Sequence, residues 1–242
     1  MARTVDQEAH AARREEFLDA ASRLIQTKGY TRMSIQDVID AVGASRGAFY
    51  HYFGSKTALL EGVVQRMVET GTAALAPVVE DPRLPALEKL NAVFSGLATY
   101  KTERKDLIIA LVSVWASDEN VLMREKFYRA VIARMTPLIA AIVRQGVAEG
   151  SFTPGDDPDA TALVFATLVM GANQTAMNMY TAHRAGAVTV EEIVAALAAF
   201  GTAFERLLGI RPGTFGLPDY ATVIREWIDA FDTASPAQGG TA

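Results

Sequence analysis

The chain has 242 residues, half of them hydrophobic and 21% charged, so it is long and apolar enough to form a buried core. It contains no cysteine, which excludes disulfides, thiolate metal sites and a cysteine nucleophile. The formal net charge is −5, and the three histidines are too far apart in sequence to form a metal-ligand motif.

The acidic balance lies outside the N-terminal segment. Residues 1–60 contain eight Lys/Arg against seven Asp/Glu, so this segment is able to bind DNA if its basic residues share one face. The N-terminus has no apolar signal-peptide core, and the longest apolar runs are shorter than the ~20 residues that span a bilayer. We therefore expect a cytoplasmic protein with no membrane partner.

The first helices of the chain are short and sharply bounded. A helix ends at Lys28-Gly29, a cationic last turn followed by a C′ glycine. Ser34 then caps a short helix that Gly43 ends, and Ser45 caps a second short helix. The spacing predicts a three-helix helix-turn-helix unit. Its expected interior consists of Phe17, Leu24, Ile35, Val38, Ile39, Val42, Phe49 and Phe53.

The rest of the chain also has helical periodicity, and no alternating β-branched run predicts a strand. A predicted turn covers 77–85. Pro137 removes one backbone hydrogen bond inside its helix, so we expect a kink or break near residue 133. The predicted helices lie at about 86–101, 105–116, 119–149, 157–183, 189–209 and 219–232.

These elements predict an all-α fold with two domains. Residues 1–58 form an N-terminal arm and a three-helix helix-turn-helix domain. Residues 59–234 form a helical C-terminal domain for ligand binding and dimerisation, and 235–242 are an expected disordered tail. The carboxylates of Asp156, Asp157 and Asp159 precede a helix, which makes helix capping a simpler interpretation than a metal site.

Two enzyme-like patterns lack their structural context. Residues 43–47 match the GxSxG nucleophile elbow, but a helix rather than a buried strand precedes them. Residues 54–57 resemble the end of a phosphate loop but place a serine between glycine and lysine. We therefore predict no catalytic residue, no metal ligand and no cofactor, and an all-helical enzyme is a remote alternative.

The second short helix has a small, basic and aromatic outer surface that suits a major groove. Residues 33–60, MSIQDVIDAVGASRGAFYHYFGSKTALL, resemble the DNA-binding motif of TetR-family transcriptional repressors. The glycine turn, Ser45, Gly47, the aromatic run 49–53 and Ser55-Lys56 carry the resemblance, although Thr57-Ala58 stands where the family often has acidic residues. Residues 142–152, IVRQGVAEGSF, are similar to the body of the same family.

The resemblance implies two groups of DNA contacts. The phosphate contacts are Ser34, through its amide and hydroxyl, Tyr50, His51 and Lys56. The base contacts are Arg46, Gly47 and Ala48, with Ser45 at the start of the helix. Independently, Arg46 is able to read guanine O6 and N7, which is worth roughly 1–3 kcal/mol of discrimination. Lys56 lies beside free backbone N–H groups that attract a phosphate oxygen. Arg3, in a flexible leader, is either a minor-groove contact or part of a mobile tail.

Small residues are abundant in 157–183 and 189–209, which lets these helices approach others closely. In the resembling family the last two helices of the common body form a four-helix interface, so the resemblance implies a homodimer through these segments. Two-fold symmetry implies a palindromic double-stranded DNA operator, with half-sites about one turn apart or a multiple of it.

The resemblance also implies a small effector that binds the body and releases DNA. Few charges fall in the candidate segments, so an apolar or mildly polar effector is expected. Asn173 and Gln174 are amides that need partners, and they either bind such an effector or, the interpretation we favour, lie at the dimer seam or in the core. The candidate ligand residues are Trp115, Met123, Phe127, Met170, Asn173, Gln174, Met177 and Tyr180.

The predicted function is therefore a dimeric, ligand-released repressor. The helix at 55–75 joins both parts, so an effector that prefers one body geometry would change the separation of the two recognition helices. The alternative is a DNA-binding activator or architectural protein without a ligand, which would use the same motif.

Overall fold

A computed structural model describes residues 2–116, 120–216 and 220–234, which form eleven α-helices and no strand. The predicted all-α fold is confirmed. The predicted tail, 235–242, lies outside the described residues. The helices are α1 (Ala2–Lys28), α2 (Ile35–Val42), α3 (Arg46–Tyr52), α4 (Lys56–Ala73), α5 (Ala76–Glu80), α6 (Ala86–Glu103), α7 (Lys105–Ala116), α8 (Val121–Ala148), α9 (Pro158–Arg184), α10 (Val190–Leu208) and α11 (Tyr220–Ala234).

The chain divides into two compact units. The first contains the chain up to Thr70 together with Arg104–Phe127. The second contains Gly71–Glu103 and the chain from Tyr128 onward. Residues 104–127, which the sequence placed in the C-terminal domain, thus belong with the helix-turn-helix segment.

The first unit is built around aromatic rings. Phe17 of α1 and Phe49 of α3 are fully buried, with ring centroids 5.8 Å apart. Leu107 and Leu111 of α7 and Met123 of α8 are buried in the same core. All eight side chains of the predicted helix-turn-helix interior lie in or against this core, so that prediction is confirmed.

The second unit packs α9 against α10 and α10 against α11. Its core includes Phe94, Phe204 and Phe215, and the rings of Phe94 and Phe215 lie 4.8 Å apart. The buried carboxylate of Glu205 accepts hydrogen bonds from the N–H groups of Gly213 (2.7 Å) and Phe215 (3.2 Å). Glu205 thereby holds the segment after α10 against the core.

Three local predictions are wrong. The predicted turn at 77–85 contains helix α5, because a proline in the first turn has a φ already suited to a helix. Helix α8 continues through Pro137, so of the predicted kink or break the break does not occur, since Met135 and Ile139 lie in the core on either side; the kink stays a prediction. The predicted flexible leader is helical from Ala2, so the backbone of Arg3 lies in α1. The side chain of Arg3 is outside the described part of the chain.

One of the three acidic residues at the start of α9 caps the helix. The Asp157 carboxylate accepts hydrogen bonds from the N–H groups of Asp159 (2.9 Å) and Ala160 (3.1 Å). This confirms the capping interpretation for Asp157.

By length and composition alone, helices α8 and α9 are each able to cross a membrane. This is a weak indication, because a core helix of a soluble protein passes the same test. The absence of a membrane partner stays a prediction.

Candidate nucleic-acid interface

A tight turn fixes the angle between α2 and α3. Gly43 has φ +64°, a left-handed conformation that glycine adopts without steric cost, and its N–H donates to the carbonyls of the last turn of α2. Ser45 then caps α3, its hydroxyl accepting a hydrogen bond from the Ala48 N–H at 3.1 Å. The local sequence of Gly43 and Ser45 therefore sets where α3 starts and how it leaves the turn.

Helix α3 has one buried and one exposed face. Phe49 anchors the buried face against Phe17 and Phe53. On the other side Tyr50 is 45% exposed. Ala48 and Tyr52 are half-buried, and the exposed residues are Ser45, Arg46, Gly47, Tyr50 and His51.

The long side chain of Arg46 lies near an aromatic ring of the same helix. Its guanidinium carbon is 5.9 Å from the centroid of the Tyr50 ring, within the range of a cation–π contact. Gly47 has open space around it, since a Cβ built there would meet only the Ser45 hydroxyl, at 3.9 Å. The exposed face of α3 therefore combines a cation, an aromatic ring and, at Gly47, a position without a side chain.

A histidine of α1 extends this surface. The ring of His10 lies 5.5 Å from that of His51 and 4.5 Å from that of Tyr52. His10 was not predicted as a site residue, because nothing in its local sequence pattern links residue 10 to residue 51. Only the packing of α1 on α3 brings the two imidazoles together.

Lys56 begins α4 and reaches back toward α2. Its Nζ donates to the Thr31 carbonyl at 3.2 Å and lies 4.4 Å from the centroid of the Tyr30 ring. Burial lowers the pKa of Lys56, and the negative charge of Asp37 partly opposes this shift. The ammonium is thus held in place between α4 and the segment before α2.

Asp37 of α2 accepts hydrogen bonds from residues at the end of α1 and at the start of α2. Its carboxylate accepts hydrogen bonds from Lys28 Nζ (2.6 Å), the Ser34 N–H (2.7 Å) and the Ser34 hydroxyl (2.8 Å). These bonds, that from Lys28 first, lower the pKa of Asp37 to about 2. The resemblance assigns the Ser34 N–H and hydroxyl to a phosphate, but here both groups donate to Asp37. A phosphate at Ser34 would therefore have to replace the Asp37 carboxylate.

The enzyme-like pattern at 43–47 is a helix-turn-helix turn. Helix α2 precedes it and the Ser45 hydroxyl is engaged as a helix cap. Within the described residues, no three His, Asp or Glu side chains are grouped so that they could hold a metal ion.

Comparison with known proteins decides the family. The sequence model described as "Bacterial regulatory proteins, tetR family" matches residues 17–63. The transcriptional regulator YvdT of Bacillus subtilis (strain 168) is 31% identical over 141 residues, covering 56% of this chain and 70% of YvdT. The chain belongs to the TetR family. It is thus a DNA-binding transcriptional regulator, and TetR-family regulators bind DNA operators and act as dimers.

Other TetR-family proteins are more distant. The repressor KstR2 of Mycolicibacterium smegmatis is 26% identical over 150 residues, or 62% of this chain and 72% of KstR2. A TetR regulator from Haloarcula marismortui has the same fold, with a TM-score of 0.60, 22% identity, and coverage of 82% of this chain and 99% of that chain. The SmeT–triclosan complex gives a TM-score of 0.56 at 22% identity, covering 86% and 95%.

The predicted ligand residues of this TetR-family regulator fall in both units. Trp115, Met123 and Phe127 belong to the core of the first unit, where the Trp115 and Phe127 rings are 4.7 Å apart. In the second unit, Tyr180 is buried and stacks on Phe231 at 4.0 Å. The remaining candidates of the second unit are Met170, Asn173, Gln174 and Met177.

The two amides of α9 have different partners. Gln174 donates to the neighbouring Asn178 side chain at 2.7 Å. Asn173 donates to the Val169 carbonyl at 2.9 Å and accepts a hydrogen bond from Lys101 Nζ at 2.7 Å. Lys101, on α6, was not identified from the sequence, because its neighbours in the chain give no indication that it meets α9.

A surface groove of about 570 Å³ lies between α8 and α9. It contains none of the predicted ligand residues, and Arg144 and Asp159 at its edge form an ion pair at 3.3 Å. Its lining is Arg129, Ile132, Ala133, Thr136, Pro137, Ala140, Arg144, Asp159 and Leu163.

Proposed function

We propose that this TetR-family regulator is a homodimeric, cytoplasmic repressor that binds a palindromic operator and is released by a small molecule. The observation that carries the proposal is the exposed face of α3, where Arg46, Gly47 and Tyr50 stand on a helix anchored from below by buried Phe49. A helix of this size with a long bidentate donor at its start fits the major groove.

We assign some residues to DNA bases and others to phosphates from their charge and position. Arg46, with Gly47 and Ala48, faces base edges, while Lys56 and the other phosphate contacts hold the backbone. The Lys56 ammonium at the start of α4, and the exposed His51 imidazole in the last turn of α3, are able to bind phosphate oxygens without regard to sequence. Tyr50 and His51 are the other proposed phosphate contacts, and Ser34 joins them if a phosphate replaces the Asp37 carboxylate at its N–H and hydroxyl. Ser45 caps the recognition helix.

The second copy of the chain is proposed to pack on α9 and α10. Leu163 and Val164 of α9 are 49% and 48% exposed and adjacent in sequence, so they offer apolar surface that a second copy would cover. Helix α10 adds small exposed side chains, which let another helix approach closely. These are Ala195, Ala198 and Ala199.

Two related proteins support repression and effector release. KstR2 is named as a transcriptional repressor, and SmeT, which has the same fold, is described in complex with triclosan. A ligand of the second unit would shift the DNA-binding equilibrium only by its difference in affinity for the two states.

Selection of bound duplexes from a random pool, followed by sizing of the complex, tests the proposal. A palindromic consensus bound by two copies of the chain is expected, and a promoter carrying that consensus should be repressed in a reporter assay. Increased transcription would instead identify an activator. Salt-sensitive binding with no enriched sequence would contradict the proposed operator recognition.

Point variants test the roles of the two cations. Lys56→Ala should weaken binding to every duplex and reduce the salt slope by about one. Arg46→Ala should lower selectivity at the bases it reads, by roughly 1–3 kcal/mol. Arg211→Ala removes an exposed charge in the second unit and serves as control. If Lys56→Ala and Arg46→Ala lose the same DNA affinity on every duplex, the proposed separation of phosphate and base contacts is wrong.

A further inference from the structure

Among its described residues, the second unit contains an ammonium group that is not paired with an acidic side chain. Lys101 is partly buried on α6, and its Nζ donates to the Asn173 side-chain oxygen on α9 at 2.7 Å. Asn173 is a neutral amide, and within the described part of the chain it is the single hydrogen-bond partner of Lys101 Nζ. A partly buried cation with a neutral partner is electrostatically unsatisfied.

The geometry leaves donors free for another group. An ammonium has three N–H bonds, and one of them is directed at Asn173. Asn173 is itself oriented, because its amide nitrogen donates to the Val169 carbonyl at 2.9 Å. This second bond fixes the amide so that its oxygen faces Lys101, and the pair is preorganised to receive an acceptor.

The surroundings of the pair are apolar. Leu97 lies one helical turn before Lys101, and Val169 lies one turn before Asn173, and both pack against the core of the second unit. Burial lowers the pKa of the Lys101 amine, and no acidic group in the described part of the chain opposes that shift. A bound anion would reverse the shift and stabilise the charged form.

We infer that Lys101 and Asn173 form the anchoring point of an effector site for a carboxylate carried by an apolar molecule. The Lys101 ammonium would pair with the carboxylate, and the apolar residues beside it would contact the rest of the ligand. This inference rests on the proposed effector-released function and adds a charged group to the effector, since the sequence alone led us to expect an apolar or mildly polar molecule.

Direct binding to the purified full-length chain is the test. Benzoate, octanoate and 4-phenylbutanoate are compared with benzyl alcohol, octan-1-ol and 4-phenylbutan-1-ol by calorimetry and thermal shift. At least one carboxylate is expected to bind and its matched alcohol to bind at least about tenfold more weakly, the effect of losing a hydrogen bond to a charged group.

Variants assign the effect to Lys101. Lys101→Met keeps an apolar stem of similar length and should weaken carboxylate binding by about tenfold or more, whereas Lys101→Arg should retain it. Lys126→Met makes the same substitution at an exposed lysine that pairs with Glu61 in the first unit, and it should bind like the wild type. Unfolding temperatures of all variants show whether each one is folded.

Three results would overturn the inference: no carboxylate binds, the alcohols bind equally well, or Lys101→Met binds carboxylates like the wild type. If Lys101→Met in the third case also separates the dimer, a second copy of the chain supplies the counter-charge. Operator binding by the same protein samples is measured first, with no carboxylate or alcohol present. If the wild type binds no operator, the proposed function is refuted. If it binds the operator but no carboxylate, only this inference is refuted.

Discussion

The contact between Gly146 and Phe152 gives the sharpest stability prediction. Gly146 is buried in α8, and a Cβ built there would lie 2.2 Å from Cδ2 and 2.5 Å from Cγ of the Phe152 ring. Phe152 is 2% exposed, and its N–H donates to the Gly146 carbonyl at 3.0 Å. The ring is enclosed in the core of the second unit, so Gly146→Ala requires it to move against packed neighbours.

The magnitude follows from two opposing effects. Alanine in a helix interior is favoured over glycine by about 1 kcal/mol. Overpacking a filled core costs about 1–3 kcal/mol, and a contact as short as 2.2 Å belongs at the upper end of that range. We therefore expect a net loss of about 2 kcal/mol in the free energy of unfolding.

Urea unfolding followed by far-UV circular dichroism measures this loss. Gly96→Ala is the matched control, because a Cβ there would meet only the flexible end of Leu75 at 3.4 Å. It should be neutral or stabilising by up to about 1 kcal/mol. In a Phe152→Leu background the cost of Gly146→Ala should fall below about 1 kcal/mol, since a branched aliphatic side chain is able to rotate away. An unchanged cost in that background would refute the steric explanation.

Further predictions concern the DNA-binding unit. Gly43 has φ +64° with nothing within 4 Å of a built Cβ, so Gly43→Ala should cost about 1 kcal/mol from backbone conformation alone, read as a lower unfolding midpoint. Gly47→Ala should leave that midpoint unchanged but weaken operator binding in a fluorescence anisotropy titration; unchanged binding would argue against close approach of α3 to the bases. Asp37 has its pKa lowered from 3.8 to about 2, so its contribution to stability is present above pH 3.8 and is lost as the pH falls toward 2. Unfolding experiments at successive pH values measure the difference in free energy of unfolding between the wild type and Asp37→Asn. This difference should become smaller as the pH falls from 3.8 toward 2. A difference that does not change with pH would show that the ionised carboxylate is not its source.

The amino-acid sequence by itself determined the features that depend on neighbours a few residues apart. The caps at Ser34 and Ser45, the left-handed turn at Gly43 and the buried position of Phe49 all follow from local hydrogen bonds and helical periodicity. For the same reason the sequence predicts the helix-turn-helix and its family, since the motif is one continuous stretch of chain.

Tertiary structure decided which distant residues meet. The sequence did not predict that Leu107 and Leu111 pack into the core of the first unit, or that His10 meets His51. Nor did it pair Lys101 with Asn173, 72 positions apart. Helix periodicity identifies the face that a residue occupies but not the helix that covers that face, because many packings bury the same apolar area. The direction of each helix, and thus the partner of each polar group, is settled only when all the helices pack together.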